Sequence, residues 1–65
     1  MNKNRVSLNE KRLLSVAEFQ EYASVGRNRA FKLIKQTGCE IRLGKRVYAD
    51  RICFDQWCSR QTFQN

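Results

Sequence analysis

The stretch from Ser24 to Gly38, SVGRNRAFKLIKQTG, places arginine and asparagine side chains at the start of a predicted helix. Arg27 and Arg29 fall where the partial positive charge of a helix N-terminus opposes them, at a cost of about 0.3–1 kcal/mol each. A polyanion at that end reverses the effect, because backbone N–H groups, dipole and guanidinium groups then all attract phosphate. Asn28 and Arg29 also carry the groups that pair with adenine and guanine edges. These residue types predict contact with nucleic acid.

The positive charge extends beyond the start of this helix. Residues 27–51 carry eight basic and two acidic side chains, whereas the remaining residues are close to neutral. A run of charge is usually a solvated face, but the unfavourable position of the two arginines argues against solubility alone. The predicted DNA-binding residues lie on the helix (Arg27, Asn28, Arg29, Lys32 and Lys35) and on a hairpin that follows it (Arg42, Lys45 and Arg46).

Size and composition argue against an enzyme. The chain has 65 residues, of which 42% are hydrophobic, so we expect one small domain with a core but little room for a substrate pocket. There is no histidine. Asp50 and Asp55 are interpreted as a helix cap and a surface acid rather than as a catalytic pair. We therefore expect no catalytic residues, no metal and no cofactor.

The cysteines are interpreted in the same way. Cys39, Cys53 and Cys58 are odd in number and lack the spacing of a zinc site, so we expect three small buried or half-buried hydrophobic side chains rather than a disulfide framework. The sequence also lacks an apolar stretch long enough for a membrane span or a secretory signal. These features predict a cytoplasmic protein without a membrane partner.

Two short helices must position the basic residues. Ser15 and Glu18 have the spacing of a capping box, which predicts a first helix from Val16 to Ala23. After a short turn, a second helix begins near Arg27 and stops at Gly38. The inward positions by spacing are Val16, Phe19, Tyr22 and Ala23 on the first helix and Ala30, Leu33, Ile34 and Thr37 on the second.

Alternating residues after Gly38 predict a β-hairpin. We prefer a three-residue loop, Gly44 to Arg46, which places Ile41, Leu43, Val47 and Ala49 together on the core side and Arg42 on the outward side. A two-residue loop would instead bring Arg46 and Tyr48 onto the face of Ile41 and Leu43. Asp50 then caps a third helix, from about Arg51 to Arg60.

This order of elements predicts the fold. We expect a small α+β winged helix-turn-helix: a helix-turn-helix followed by a β-hairpin wing and a closing helix. Residues 1–12 are expected to form a flexible N-terminal arm, residues 13–60 the DNA-binding domain and residues 61–65 a tail. In this fold the second helix enters the major groove of DNA and the wing lies at the neighbouring backbone or minor groove.

Two segments, LLSVAEFQEYASVGRNRAFKLIKQTG and IRLGKRVYADRICFDQWC, resemble the excisionase-like, MerR-related family of winged helix-turn-helix DNA binders. The positions that carry the resemblance are Leu13, Leu14, Ser15, Glu18, Tyr22, Val25, Arg27, Leu33, Ile34, Gly44, Arg46, Tyr48, Arg51 and Trp57. Gly26 departs from the usual Ser or Thr cap, and no proline precedes the first wing strand. Neither departure removes a DNA-facing residue.

The resemblance implies a role. Stand-alone members of this size resemble excisionases, the recombination directionality factors of mobile elements. Such a protein binds double-stranded DNA beside an element's attachment site, bends it, and promotes excision by a tyrosine integrase. The expected partners are double-stranded DNA and an integrase, with further copies on adjacent DNA left open, in a bacterial, nucleoid-associated location. Two alternatives remain: a small AlpA- or MerR-like transcriptional regulator, and an adaptor that binds an acidic protein.

Overall fold

A computed structural model describes residues 7–62 of the chain. After a 3-10 turn at Leu8–Glu10, the elements in chain order are β1 (Leu13–Ser15), α1 (Val16–Ala23), α2 (Arg27–Thr37), β2 (Glu40–Leu43), β3 (Arg46–Asp50) and α3 (Arg51–Thr62). The predicted α+β class is confirmed, and the arrangement is compatible with a small winged-helix domain.

Local signals set the bounds of the first two helices. The Ser15 hydroxyl accepts from the Glu18 backbone N–H at 3.1 Å, and the Glu18 carboxylate accepts from the Ser15 N–H at 2.9 Å. This is the predicted capping box, and α1 ends at Ala23 as expected. Gly38 ends α2 with a left-handed φ of 76°, a conformation that glycine adopts without steric cost. Both predictions are confirmed.

The three strands form one antiparallel sheet in the order β1-β3-β2. β1 was not predicted, because three residues are too short to show alternation. It exists through pairing with β3, which sets Leu14 opposite Ala49. Both side chains are fully buried.

The predicted three-residue hairpin loop is wrong. Leu43 pairs with Arg46 across a two-residue turn, and Gly44 in that turn has a left-handed φ of 62°, which suits a tight hairpin connection. Because the side chains of directly paired residues project to the same side of a sheet, Leu43 does not share a side with Val47. The expected core face of the hairpin is therefore split between the two sides.

The corrected register separates two groups of side chains. Val47 and Ala49 share one side of the sheet with Arg42, and this is the side that packs against α2 and the core. The prediction that Arg42 lies on the outward side is therefore also wrong. The other side carries the remaining residues of the paired strands, Ile41, Leu43, Arg46 and Tyr48.

The core lies between the helices and the sheet. Its buried residues are Leu14, Phe19, Ala30, Ile34, Cys39, Ala49 and Phe54. Phe19 meets Phe54 edge to face with the ring centroids 4.8 Å apart, a favoured aromatic geometry. Trp57 stacks on Phe54 but is only partly buried, so it closes the edge of the core.

Cys39 and Cys53 form a disulfide, with their Cα atoms 5.6 Å apart. The expectation that the cysteines form no disulfide is therefore wrong, whereas the expected burial is confirmed, since Cys39 is buried and Cys53 and Cys58 are half-buried. The fold brings the residue before β2 against the first turn of α3, and this proximity across 14 positions has no signature in the spacing of the cysteines. Cys58 lies outside this disulfide and is a half-buried thiol whose pKa is raised by burial.

Among the described residues, several outside the predicted bounds of 13–60 also belong to the domain. Of the predicted arm, residues 7–12 pack on the domain: Leu8 contacts the core, Lys11 pairs with Glu18, and Arg12 pairs with Asp50 at 2.8 Å. The third helix continues two residues past its predicted end. Residues 1–6 and 63–65 lie outside the described part of the chain.

No helix within residues 7–62 has the length and apolar character required to cross a membrane.

Candidate nucleic-acid interface

One side of α2 is polar, basic and exposed. Ala30 and Ile34 turn the opposite side into the core, and the helical period then directs the remaining positions to solvent. The five predicted helix residues, Arg27, Asn28, Arg29, Lys32 and Lys35, are all exposed there. The structure thus brings every predicted helix residue onto the free side of one element.

The basic side chains of α2 keep their charge uncompensated. Among residues 7–62 the salt bridges join Lys11 to Glu18, Arg12 to Asp50, Arg42 to Glu40 and Arg51 to Asp55. None involves a residue of α2, and α2 contains no acidic residue. The positive potential of this helix is therefore available to an external anion.

Arg27 has an internal partner that the sequence interpretation missed. Its guanidinium lies over the Phe31 ring, 5.2 Å from the ring centroid. An arginine four residues before an aromatic residue on a helix is the signal that would have revealed this contact. The ring holds the guanidinium at the start of α2 while both flanking residues, Gly26 and Asn28, remain exposed.

The three predicted hairpin residues do not lie together. Lys45 occupies the turn and Arg46 begins β3, and both are exposed. Arg42 lies on the side facing α2, where it pairs with Glu40 at 3.5 Å. We call the eight predicted residues on the two elements the α2–hairpin surface: Arg27, Asn28, Arg29, Lys32, Lys35, Arg42, Lys45 and Arg46.

A cleft separates α2 from the hairpin. Its volume is about 200 Å³, Phe31, Ile34 and Val47 supply apolar lining, and Lys35, Glu40 and Arg42 supply charged lining. Small-molecule sites usually span about 300–1,000 Å³. The cleft is therefore smaller than a typical ligand site. Lys35 of α2 and Arg42 of β2 lie on its two opposite walls.

A polar network joins α1, α3 and the segment before β1. Arg51 donates to the Lys11 carbonyl and to the Asp55 carboxylate, and the Tyr22 hydroxyl donates to Asp55 at 2.7 Å. This hydrogen bond raises the pKa of Tyr22. Asp55 was expected to be a solvated surface acid, but it joins α1 to α3.

Asp50 performs the predicted capping role and a second one. Its carboxylate accepts from the backbone N–H groups of Ile52 and Cys53, and it also accepts two hydrogen bonds from the Arg12 guanidinium. The contact with Arg12 is the main cause that lowers the pKa of Asp50. Arg12 thus ties the segment before β1 to the start of α3.

The described residues offer no metal centre: between residues 7 and 62 no three His, Cys, Asp or Glu side chains are grouped to hold an ion. Comparison of the chain with protein-family models, with curated proteins and with solved structures finds no match.

Proposed function

We propose that this chain is a winged helix-turn-helix protein that binds double-stranded DNA through the α2–hairpin surface. The observation that carries the proposal is the exposed basic side of α2, which takes part in none of the salt bridges among residues 7–62. An anion that covers this side gains charge-assisted hydrogen bonds without breaking an internal salt bridge. A polyanion gains most, because several such contacts form at once.

Shape supports duplex DNA as the polyanion. With 11 residues, α2 is about 16 Å long, and its free side meets the major groove, about 12 Å wide, with its N-terminal residues foremost. Asn28 and Arg29 then reach base edges, while Lys32 and Lys35 lie near phosphates. Lys45 at the hairpin turn contacts the neighbouring backbone.

The biological role that we propose follows from the family resemblance. An excisionase-type protein of this size binds and bends DNA near the attachment site of a mobile element and promotes excision by a tyrosine integrase. A transcriptional regulator would use the same surface. An in vitro excision reaction with a cognate tyrosine integrase separates the two: stimulated excision supports the excisionase role, and unchanged excision despite DNA binding favours the regulator.

DNA binding itself is tested by its salt dependence. With about four to six phosphates neutralised, we expect the logarithm of the affinity to fall against the logarithm of the salt concentration with a slope of about −4 to −5. Fluorescence anisotropy with labelled duplexes at several salt concentrations measures the slope. Lys45→Ala should weaken binding to all sequences alike and reduce the slope by about one. Absence of duplex binding at low salt would refute the proposed function and favour the adaptor.

A further inference from the structure

A large apolar side chain stands exposed at the basic hairpin turn. Leu43 is the last residue of β2 and is 53% exposed. Among the described residues the only other exposed large hydrophobic residue is Ile52, at 38%. Leu43 directly precedes the Gly44–Lys45 turn and pairs with Arg46, so it projects into solvent beside two cations.

The pairing register decides which side chains accompany it. Leu43 and Arg46 lie on the side of the hairpin that faces away from α2, together with the half-buried pair Ile41 and Tyr48. We call these four residues the outer hairpin face. Toward the turn this face ends in one leucine and one arginine.

We propose that Leu43 is an apolar wedge that enters the minor groove of duplex DNA. This inference rests on the proposed function and extends it to a specific contact. The minor groove is about 6 Å wide, and apolar side chains inserted there partly unstack a base step and bend the duplex. Leu43 supplies the apolar side chain, while Arg46 and Lys45 beside it attract the phosphates that border the groove.

The surrounding charge favours DNA over a protein partner. Leu43 lies beside Arg46, its partner across the hairpin, and close to Lys45 in the turn. If two copies of this chain met through this face, like charges would oppose each other, which is destabilising. A polyanionic groove is complementary to the same set of charges.

The size of the apolar patch points the same way. On the outer hairpin face, Ile41 and Tyr48 are only partly exposed, and Leu43 alone among its apolar residues is exposed. A stable protein interface needs a broad buried area of about 800 Å² on each partner. A single projecting leucine is suited to insertion at one base step rather than to broad docking.

The test compares Leu43→Ala with Ile52→Ala in the full chain. Ile52 is the matched control, because it is also an exposed large aliphatic residue but lies on α3. The probe is a duplex that the wild-type chain selects from random sequence, labelled at its two ends, so that anisotropy reports affinity and energy transfer reports bending. Circular dichroism establishes that both variants stay folded.

We expect Leu43→Ala to lose most of the bend and to weaken binding roughly 10-fold or more, since the apolar contact is gone. Leu43→Met should restore most of both, and Ile52→Ala should match the wild type. If Leu43→Ala binds and bends as the wild type does while Arg29→Ala weakens binding, the wedge is wrong and the proposed function stands.

Two other outcomes also overturn the wedge. If Leu43→Ala changes the oligomeric state of the free protein, measured by sedimentation, but leaves the bend of the duplex unchanged, Leu43 lies in a contact between two copies of the chain. If the wild-type chain selects no duplex at all, the proposed function fails, and the wedge fails with it.

Discussion

At the scale of single residues, the position of a charge depends on what its helix buries. Ala30 and Ile34 are the buried residues of α2. Because Arg29 lies on the other side of the helix, its side chain is exposed to solvent. Its side chain takes part in none of the salt bridges among residues 7–62. Removing or altering this side chain therefore tests an external contact rather than an internal one.

Two substitutions of Arg29 separate base recognition from phosphate attraction. We expect Arg29→Ala to cost about 1–3 kcal/mol of binding free energy at one position of the DNA site. Arg29→Lys keeps the charge but loses the bidentate fork that matches guanine, so it should retain affinity for random duplexes and lose discrimination at that position. Binding assays over a set of single-base variants of the site measure both. Equal discrimination by wild type and Arg29→Lys would contradict base recognition.

Acid should destabilise the fold through two paired carboxylates. Contacts with Arg12 and with Lys11 lower the pKa of Asp50 and of Glu18 below their ordinary values of 3.8 and 4.5. Each contribution is therefore present above the unfolded pKa and is lost as the pH falls through the lower, folded pKa. We expect the stability to fall below about pH 4.

Urea unfolding at neutral pH and near pH 3 measures this loss. Asp50→Asn should be less stable than the wild type at neutral pH and should lose less on acidification, because it lacks one of the two carboxylates. Glu21→Gln, which alters an exposed carboxylate outside the four salt bridges, serves as the control and should follow the wild type. An unchanged acid loss in Asp50→Asn would contradict the assignment.

At the scale of elements, one junction joins α2, the hairpin and α3. The Cys39 backbone N–H donates to the Ile34 carbonyl at 3.3 Å, and the Cys39 carbonyl accepts from the Asp50 N–H at 2.9 Å. The disulfide to Cys53 adds a covalent link from this junction to α3. These bonds fix the orientation of α2 relative to the hairpin, and none of them involves a residue of the α2–hairpin surface.

Reduction of the disulfide should weaken the whole domain. For a loop of about 15 residues the expected loss is about 3 kcal/mol of unfolding free energy. Urea unfolding of the wild type with and without dithiothreitol measures it, and the variant with both Cys39→Ala and Cys53→Ala should not respond to the reductant. Cys58→Ala retains the bond and should still respond. Identical wild-type curves with and without reductant would contradict a stabilising disulfide.

At the scale of the whole molecule, stability depends on few side chains. A domain of this size buries only about 60% of its unfolded surface. The free energy of unfolding of a folded protein is only about 5–15 kcal/mol. Phe19 is fully buried, Phe54 is 8% exposed, and Trp57 is only partly buried. The phenylalanine on α1 is therefore the largest side chain wholly inside the core.

Phe19→Ala should cost about 3–5 kcal/mol and leave much of the chain unfolded at room temperature. Trp57→Ala should cost less, because part of its side chain is already exposed to water. Thermal unfolding followed by circular dichroism ranks the two variants. Ile52→Ala, an exposed control, should change the stability by less than about 0.5 kcal/mol. A larger loss for Trp57→Ala than for Phe19→Ala would contradict this ranking.

The sequence by itself determined the helices and the basic side of α2. Caps and the helical period act within about four residues, so the capping box at Ser15, the start of α2 at Arg27 and its end at Gly38 could all be predicted locally. The same period placed the predicted α2 residues in solvent. Whether they contact DNA stays a prediction.

Only the tertiary structure decided the sheet and the covalent link. β1 exists because Leu14 packs opposite Ala49, and the two-residue turn turns Leu43 away from α2. The Cys39–Cys53 disulfide likewise joins residues that only the packing of α3 brings together. Pairing register and cross-links depend on contacts between distant residues, and local periodicity carries no information about which partner a strand or a cysteine will meet.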